Sequence, residues 1–214
     1  MRSWWIIVPL RGGVLAKSRL TEVLPHGEDR AALADALAAD VVAAALAVPA
    51  VFGVTVVTAH PTSCRPLAEL GAVVVTEPAG AGLDGAVSHA ARTVSQARPD
   101  DSIAVLMGDL PGATAPTLAA ALRAAEPLNR GVLADRDGTG TVLLTAAPGL
   151  VPRPAYGVGS YARHLAAGHL PLPLPGGSAL QDDLDTLEDL RAAEDRGVGP
   201  RTAAALRTLG STRN

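Results

Sequence analysis

Residues 51–76 read VFGVTVVTAHPTSCRPLAELGAVVVT. Two runs rich in valine and threonine, Val51–Thr58 and Ala72–Thr76, enclose a stretch, Pro61–Gly71, that can form a helix. Valine and threonine favour strands, and a succession of strand, helix and strand is the unit from which parallel sheets are built. These residues therefore predict a βαβ unit.

The same alternation continues on both sides of this unit. Further strands are predicted at Trp4–Val8, which Pro9 ends, and at Ser102–Met107. Helices are predicted at Glu28–Val48, Asp84–Ala97 and Thr114–Ala125. This order of elements predicts an α/β, Rossmann-like fold, in which a mainly parallel sheet carries helices on both faces.

The alternation loosens in the second half of the chain. Gly131–Ala134 and Thr139–Ala146 predict an antiparallel pair of strands joined by a turn at Asp137–Gly138. No repeat or low-complexity linker divides the sequence. We therefore expect a single domain over residues 1–214, with residues 197–214 as a C-terminal tail that forms a short helix before fraying.

The composition limits the classes of function. With 48% hydrophobic but only 2% aromatic residues, the core must be aliphatic, and platforms for stacking nucleic-acid bases are scarce. A net charge of -3 gives no basic footprint for nucleic acid or an acidic membrane. The single Cys64 excludes an internal disulfide, and the apolar run Trp4–Leu10 lacks a signal-peptide cleavage site. We expect a cytoplasmic protein that binds small molecules, and neither nucleic acid nor a membrane.

Asp109 is the first candidate for chemistry, because ligands of open α/β sheets bind beyond the carboxyl ends of the strands. It follows an apolar strand and Gly108, and Pro111 stiffens the exit from the strand. A carboxylate at this position suits a hard cation such as Mg²⁺. The alternative is that Asp109 caps the helix that follows, although Thr114 is a better cap.

A second acidic stretch, QDDLDT at residues 181–186, places Asp183 and Asp185 two residues apart. In an extended segment these carboxylates share one face, and they repel each other unless a cation lies between them. On spacing alone, an equal alternative is that Asp185 or Thr186 caps the next helix. Asp109 favours the metal interpretation, because it could supply a third carboxylate.

Two glycine-containing loops follow strands and could hold a nucleotide. Residues 9–20, PLRGGVLAKSRL, offer backbone N–H groups and cations for phosphates, although their spacing is not that of a Walker loop. Residues 77–84, EPAGAGLD, would let a planar base approach the backbone closely. The candidate nucleotide contacts are Pro9, Arg11, Gly12, Lys17, Gly82 and Asp84. The alternative is that the first loop is a simple turn and Lys17 a surface charge.

Residues 156–164, YGVGSYARH, predict an anion site. Two glycines precede Ser160, which can cap a helix whose N–H groups face outward and favour an anion. His164 lies four residues later on the same face and could add a donor, although a lone histidine is more often structural. The candidate substrate contacts here are Gly157, Gly159, Ser160 and His164.

Six stretches occur in a characteristic order: VPLRGGVLAKSRL, GLDGAV, GDLP, GTGT, YGVGSYARH and DLDTLEDL. Together they resemble the 2-phospholactate guanylyltransferase family of coenzyme F-420 biosynthesis, whose bacterial branch uses phosphoenolpyruvate. The similarity extends from about Trp4 to Arg196. It implies a nucleotide-diphospho-sugar transferase-like fold and Mg²⁺-dependent transfer of a guanylyl group from GTP to phosphoenolpyruvate or 2-phospho-L-lactate, with release of pyrophosphate. It also implies hand-over of the product to a downstream deazaflavin transferase.

The resemblance assigns roles to individual residues. Lys17 would contact the nucleotide phosphates and act in catalysis with Asp109. The metal ligands would be Asp109, Asp183 and Asp185. The phosphate or carboxylate of the acid would be held by Thr141, Gly157 and Ser160. Three positions depart from the family pattern: Arg11 replaces a lysine, and Asp84 and Val142 each replace an asparagine.

Two alternative interpretations stay open. GDLP and the D-x-D-T element also occur in molybdenum-cofactor-type and other nucleotidyltransferases, and a sugar phosphate is a further candidate acceptor. A pterin pocket, however, would need more room than YGVGSY suggests. The chain could instead be a non-catalytic module that binds a nucleotide or a partner protein. A dehydrogenase is disfavoured because no G-x-G-x-x-G follows the first strand.

Overall fold

The computed structural model describes residues 2–10, 20–21, 24–174 and 177–211. Its strands are β1 Trp4–Leu10, β2 Val51–Thr58, β3 Val73–Thr76, β4 Ser102–Leu106, β5 Arg130–Ala134, β6 Thr141–Ala146 and β7 Leu170–Pro171. Its α-helices are α1 Gly27–Leu46, α2 Arg65–Glu69, α3 Gly82–Ala97, α4 Ala115–Ala125, α5 Ser160–Ala166, α6 Leu187–Arg196 and α7 Pro200–Ser211. Short 3-10 turns occur at Pro61–Cys64 and Ala179–Gln181.

The strands form one sheet in the order β3-β2-β1-β4-β6-β5-β7. The first four of these strands are parallel, which confirms the predicted βαβ unit and the mainly parallel sheet. Strand β6 is antiparallel to both of its neighbours. It pairs with β5 across the predicted Asp137–Gly138 turn, where Gly138 has a φ of 73° that glycine adopts at little cost. Because β6 runs antiparallel to β4, the turn that leads from β5 into β6 lies at the same edge of the sheet as the carboxyl end of β4.

Helices cover both faces of the sheet, as predicted. On β1, Ile6 and Val8 pack in a core cluster with residues of α1 and α4, whereas Ile7 packs in a second cluster with residues of α3. Successive side chains of a strand point to opposite faces, so this alternation separates the two helical layers. All three side chains are almost completely buried, as a strand covered on both faces requires.

Strand β1 is longer than predicted, since Pro9 lies within it instead of ending it. The pairing of β1 with β4 ends at Ile7, whereas its pairing with β2 continues through Pro9 to Leu10. A proline lacks the N–H that a strand with two partners uses, but it is tolerated where only one neighbour remains.

The C-terminal tail contains a docked helix. Asp40 of α1 accepts hydrogen bonds from the backbone N–H groups of Arg201 and Thr202 and from the Thr202 hydroxyl. Leu209 of α7 joins a leucine-rich cluster that includes Leu33 of α1. Helix α7 is therefore fixed to α1 both by the hydrogen bonds of Asp40 to its first turn and by apolar packing. None of the helices in the described ranges combines the length and apolar character of a membrane span.

Candidate active site

Asp109 lies where the sequence predicts it, just beyond the carboxyl end of β4 and partly buried. It does not cap the next helix, because the Thr114 side chain accepts from the Thr117 N–H and caps α4. The carbonyl of Asp109 accepts a 3.1 Å hydrogen bond from the N–H of Leu184. This bond holds the acidic stretch of residues 181–186 beside Asp109.

The residues from Asp182 to Thr186 have separate roles. Asp182 forms ion pairs with Arg136 at 2.6 Å and with Arg196 at 3.0 Å. Thr186 caps α6 and shares a capping box with Asp189, so the capping alternative is confirmed for Thr186. Asp189 also accepts from the backbone N–H of Asp185 at 3.2 Å, but the cap uses the side chain of neither Asp183 nor Asp185.

Asp183 is the centre of an acidic cluster. Burial, followed by the negative charges of Asp109, Asp185 and Asp135, raises the pKa of Asp183 to about 6. The three predicted metal ligands are thus neighbours. Within the described ranges, however, no three carboxylate, histidine or cysteine side chains are placed to hold one ion together. Mg²⁺ usually binds through one or two carboxylates and completes its coordination with phosphate oxygens and water, so the donor set still suits Mg²⁺.

This shift in pKa predicts how stability depends on pH. Asp183 has a pKa above its ordinary value of 3.8 in the folded protein, so the metal-free protein gains stability at low pH and loses it as pH rises through about 6. We expect Asp183→Asn to remove this loss. The difference in unfolding free energy between variant and unaltered protein, measured by urea denaturation without divalent ions, should grow from pH 4 to pH 7. A difference that stays constant over this range would contradict the assignment.

Asp135 belongs to the cluster and was missed by the sequence analysis. It follows β5, and its two carboxylate oxygens accept from the N–H groups of Thr139 at 2.9 Å and Gly140 at 2.7 Å. Aspartate commonly accepts from backbone N–H groups a few residues ahead in a turn, and the DRDGTG sequence carries this signal. Asp135 therefore shapes the turn and also adds negative charge near Asp183.

An open cavity of about 910 Å³ adjoins the cluster. Its walls come from the β5–β6 turn, the loop of residues 157–159 and the segment that leads into α6. Among the described residues that line it, seven are acidic and Arg136 alone is basic. Such a cavity repels a polyanion unless cations enter with it.

Thr141, Ser160 and His164 are brought together behind this cavity. The Ser160 hydroxyl donates to the Thr141 hydroxyl at 3.3 Å, and Nδ1 of His164 lies 2.9 Å from the same oxygen. Two details of the prediction are wrong. The residue that caps α5 is Gly159, with a φ of 70°, so Ser160 is the first helical residue and uses its hydroxyl elsewhere. His164 does not offer a donor to an anion, because it is fully buried and both ring nitrogens are bonded within the protein.

The loop before α5 is held from one side by Arg163. Its guanidinium donates to the carbonyls of Ala155 at 3.0 Å, Tyr156 at 2.7 Å and Val158. Gly157 has a φ of 110° and Gly159 one of 70°, conformations that favour glycine. Among the hydrogen bonds of the described residues, none uses the N–H groups of residues 157–159. The carbonyls of this loop are thus occupied, while its donors are left for solvent or a ligand.

Asp84 connects this loop to α3. It lies in the first turn of α3, and its Oδ1 accepts from the N–H of Tyr156 at 2.8 Å. One oxygen of the predicted guanine contact therefore has a structural partner. Gly82 begins α3 with a φ of 61°, two residues earlier than predicted. Val142, at a position where the resemblance leads us to expect asparagine, is buried in the core and does not face the cavity.

The remaining nucleotide contacts can be placed only in part. Pro9 is buried near the end of β1, beside Val57 of β2. Arg11, Gly12 and Lys17 lie outside the described residues.

Comparison with known proteins identifies the family. Residues 4–210 match the family model described as guanylyl transferase CofC like. The chain belongs to this family. The match covers all of the segments that form the acidic cluster, the cavity and the loop before α5.

Individual relatives agree with this assignment. A phosphoenolpyruvate guanylyltransferase of Streptomyces avermitilis is 49% identical over 97% of this chain and 95% of its own. One from Streptomyces coelicolor is 46% identical over 97% of both chains. A solved structure from Desulfovibrio desulfuricans G20, described as a nucleotide-diphospho-sugar transferase, has a TM-score of 0.71 at 16% identity and covers 99% of this chain and 96% of its own. It confirms the predicted fold.

Proposed function

We propose that this protein transfers the guanylyl group of GTP to phosphoenolpyruvate in the biosynthesis of coenzyme F-420, with 2-phospho-L-lactate as the less favoured acceptor. The family model and relatives named phosphoenolpyruvate guanylyltransferase support guanylyl transfer and this acceptor. The observation that carries the proposal is the acidic cluster around Asp183, at the edge of the sheet where ligands of this architecture bind.

The proposed Mg²⁺ would bind to one or two carboxylates of Asp109, Asp183 and Asp185. It would neutralise charge on the phosphates and stabilise an in-line transition state. The acidic lining of the cavity supports this assignment, because two polyanionic substrates can meet there only if cations accompany them. We therefore propose that the metal site is complete only when the substrate phosphates are bound.

The acceptor acid is proposed to bind between the loop of residues 157–159 and β6. The unused N–H groups of this loop and the hydroxyl of Thr141, to which Ser160 already donates its own hydrogen, are donors that suit a carboxylate or phosphate. Arg163 holds the loop in this shape before the acid arrives, which lowers the entropic cost of binding.

The reaction needs no general base. A phosphate monoester is mostly dianionic at neutral pH, since its second pKa is about 6. One of its oxygens attacks the α-phosphorus of GTP, a new phosphorus–oxygen bond forms, and the bond to the β-phosphate breaks to release pyrophosphate. Lys17 is proposed to stabilise the charge on the nucleotide phosphates. We further propose that the reaction occurs in the cytoplasm and that the product passes to a deazaflavin transferase.

The choice of acceptor can be tested directly. We expect the kcat/KM for phosphoenolpyruvate to exceed that for 2-phospho-L-lactate by roughly 10- to 200-fold, with GTP and Mg²⁺ present. The two acids carry the same charged groups and differ at one carbon, planar in one and tetrahedral in the other. Only the shape of the pocket wall can therefore distinguish them. A preference for 2-phospho-L-lactate, or for 3-phosphoglycerate in the same assay, would show that the assigned acceptor is wrong.

A further inference from the structure

His164 is buried, and both of its ring nitrogens have polar partners within the protein. Its side chain has no exposed surface, and it packs edge-on against the ring of Tyr156 at 5.0 Å. Its Nε2 lies 2.8 Å from the backbone nitrogen of Ala155, and its Nδ1 lies 2.9 Å from Oγ1 of Thr141. The ring thus joins the loop before α5 to the first residue of β6.

These contacts determine which nitrogen carries the proton. A backbone N–H can only donate, so Nε2 must accept from Ala155 and carries no proton. Burial, followed by the neighbouring His169, lowers the pKa of His164 to about 4, and the ring is neutral at physiological pH. The single ring proton is therefore on Nδ1 and is donated to Thr141.

This tautomer also orients the hydroxyl of Thr141. The oxygen of Thr141 accepts from His164 and from Ser160, which uses both of its lone pairs. Its own hydrogen then points away from both donors, and the hydrogen bonds of the described residues include no acceptor for it. Thr141 is itself 7% exposed and is not one of the lining residues of the cavity, but it directly follows Gly140, which is, so an anion bound at that wall could accept this hydrogen.

We propose that His164 is a positioning residue, which by donating from Nδ1 to Thr141 makes that hydroxyl a donor to the acceptor acid. The proposal rests on the proposed function for the identity of the acid. It assigns His164 no contact with either substrate. Its removal should therefore weaken binding of the acid and leave binding of GTP unchanged.

His169 provides a matched control. It is also buried, its Nε2 accepts from the N–H of Arg153, and its Nδ1 lies 3.1 Å from the carbonyl of Gly131. It has the same bonding pattern but no contact with Thr141. A substitution of His169 removes a buried histidine of the same kind, whose ring packs edge-on against that of His164 at 5.8 Å but makes no hydrogen bond to the hydroxyl pair.

Two substitutions of His164 separate its two hydrogen bonds. The amide of His164→Asn can donate near the position of Nδ1 and so can replace the bond to Thr141. The longer His164→Gln can accept from Ala155 near the position of Nε2 but leaves Thr141 without its donor. We expect His164→Gln to raise the KM for phosphoenolpyruvate about 10- to 100-fold, with little change in kcat or in the KM for GTP. We expect His164→Asn to recover most of this loss, and His169→Asn to keep the KM of the unaltered protein.

The steady-state measurements are combined with nitrogen NMR of the histidine rings. Equal losses in His164→Gln and His164→Asn, or a matching rise in the KM for GTP, would mean that His164 only supports the fold. A ring proton on Nε2 of His164 would overturn the proposal whatever the kinetics show. If the unaltered protein turns over no acid with GTP, the proposed function fails, and the proton position still decides whether Thr141 is oriented as inferred.

Discussion

Asp183→Asn should lower the rate of pyrophosphate release from GTP and phosphoenolpyruvate by at least roughly 10²- to 10³-fold, while making the metal-free protein more stable at neutral pH. Activity falls because the lost carboxylate would hold the cation that stabilises the transition state. Stability rises because a buried negative charge beside Asp109, Asp185 and Asp135 is removed. Opposite changes in activity and stability are typical of a site selected for binding. The measurements are a pyrophosphate assay and urea denaturation of the metal-free protein.

Asp182→Asn is the matched control for this experiment. The substitution is the same and the position adjacent, but Asp182 is paired with Arg136 and Arg196. Its loss should lower stability and keep most of the activity. Near-normal turnover by a folded Asp183→Asn protein would contradict the metal assignment, as would equal loss of turnover in both variants.

GTP should be preferred over ATP on the order of 10⁴-fold in kcat/KM, with ITP between them. Guanine carries donors at N1 and N2. We propose that their acceptors are the backbone carbonyls of residues 77–84 and Oδ2 of Asp84, since Oδ1 already accepts from Tyr156. Inosine keeps the N1 donor and lacks the N2 donor, whereas adenine has neither. Each missing donor leaves a polar group of the site without its partner, so the losses should be graded.

The grading distinguishes recognition of the base from recognition of the phosphates alone. Competition between the three nucleotides for phosphoenolpyruvate, with Mg²⁺ in excess, gives the ratios of kcat/KM directly. Equal use of GTP and ATP would refute guanylyl specificity and leave nucleotidyl transfer standing. Equal use of GTP and ITP would exclude the N2 contact.

Local patterns were sufficient to predict the sheet and most of its helices. Apolar and β-branched runs and the alternation of elements identify β1, β2, β3 and β4. Of these, β1 and β4 are buried on both faces, whereas β3 is the partly exposed edge strand. The position of Asp109 follows from the same rule, since it comes directly after a buried strand. The prediction that Pro9 ends β1 is wrong, because a strand can accommodate a proline where only one neighbouring strand still pairs beside it. Which neighbour pairs there is a property of the tertiary structure.

The finer arrangement of the site was not predictable in the same way. Asp135 joins the acidic cluster only because β6 runs antiparallel and returns the turn to the edge where β4 ends. The position of His164 on the face of Ser160 followed from helical spacing, but its burial and two internal partners depend on the path of the loop before α5. Arg163 has no sequence signal for its three carbonyl contacts.

The most direct test of guanylyl transfer is the identity of the product. The protein is incubated with GTP, phosphoenolpyruvate and Mg²⁺, and the products are separated and analysed by mass spectrometry and phosphorus NMR. The account predicts pyrophosphate and, in equal amount, an adduct in which a diphosphate bond joins guanosine monophosphate to the enol phosphate, formed only when both substrates and the metal are present. Release of pyrophosphate without the acid, or formation of free guanosine monophosphate in place of the adduct, would contradict it.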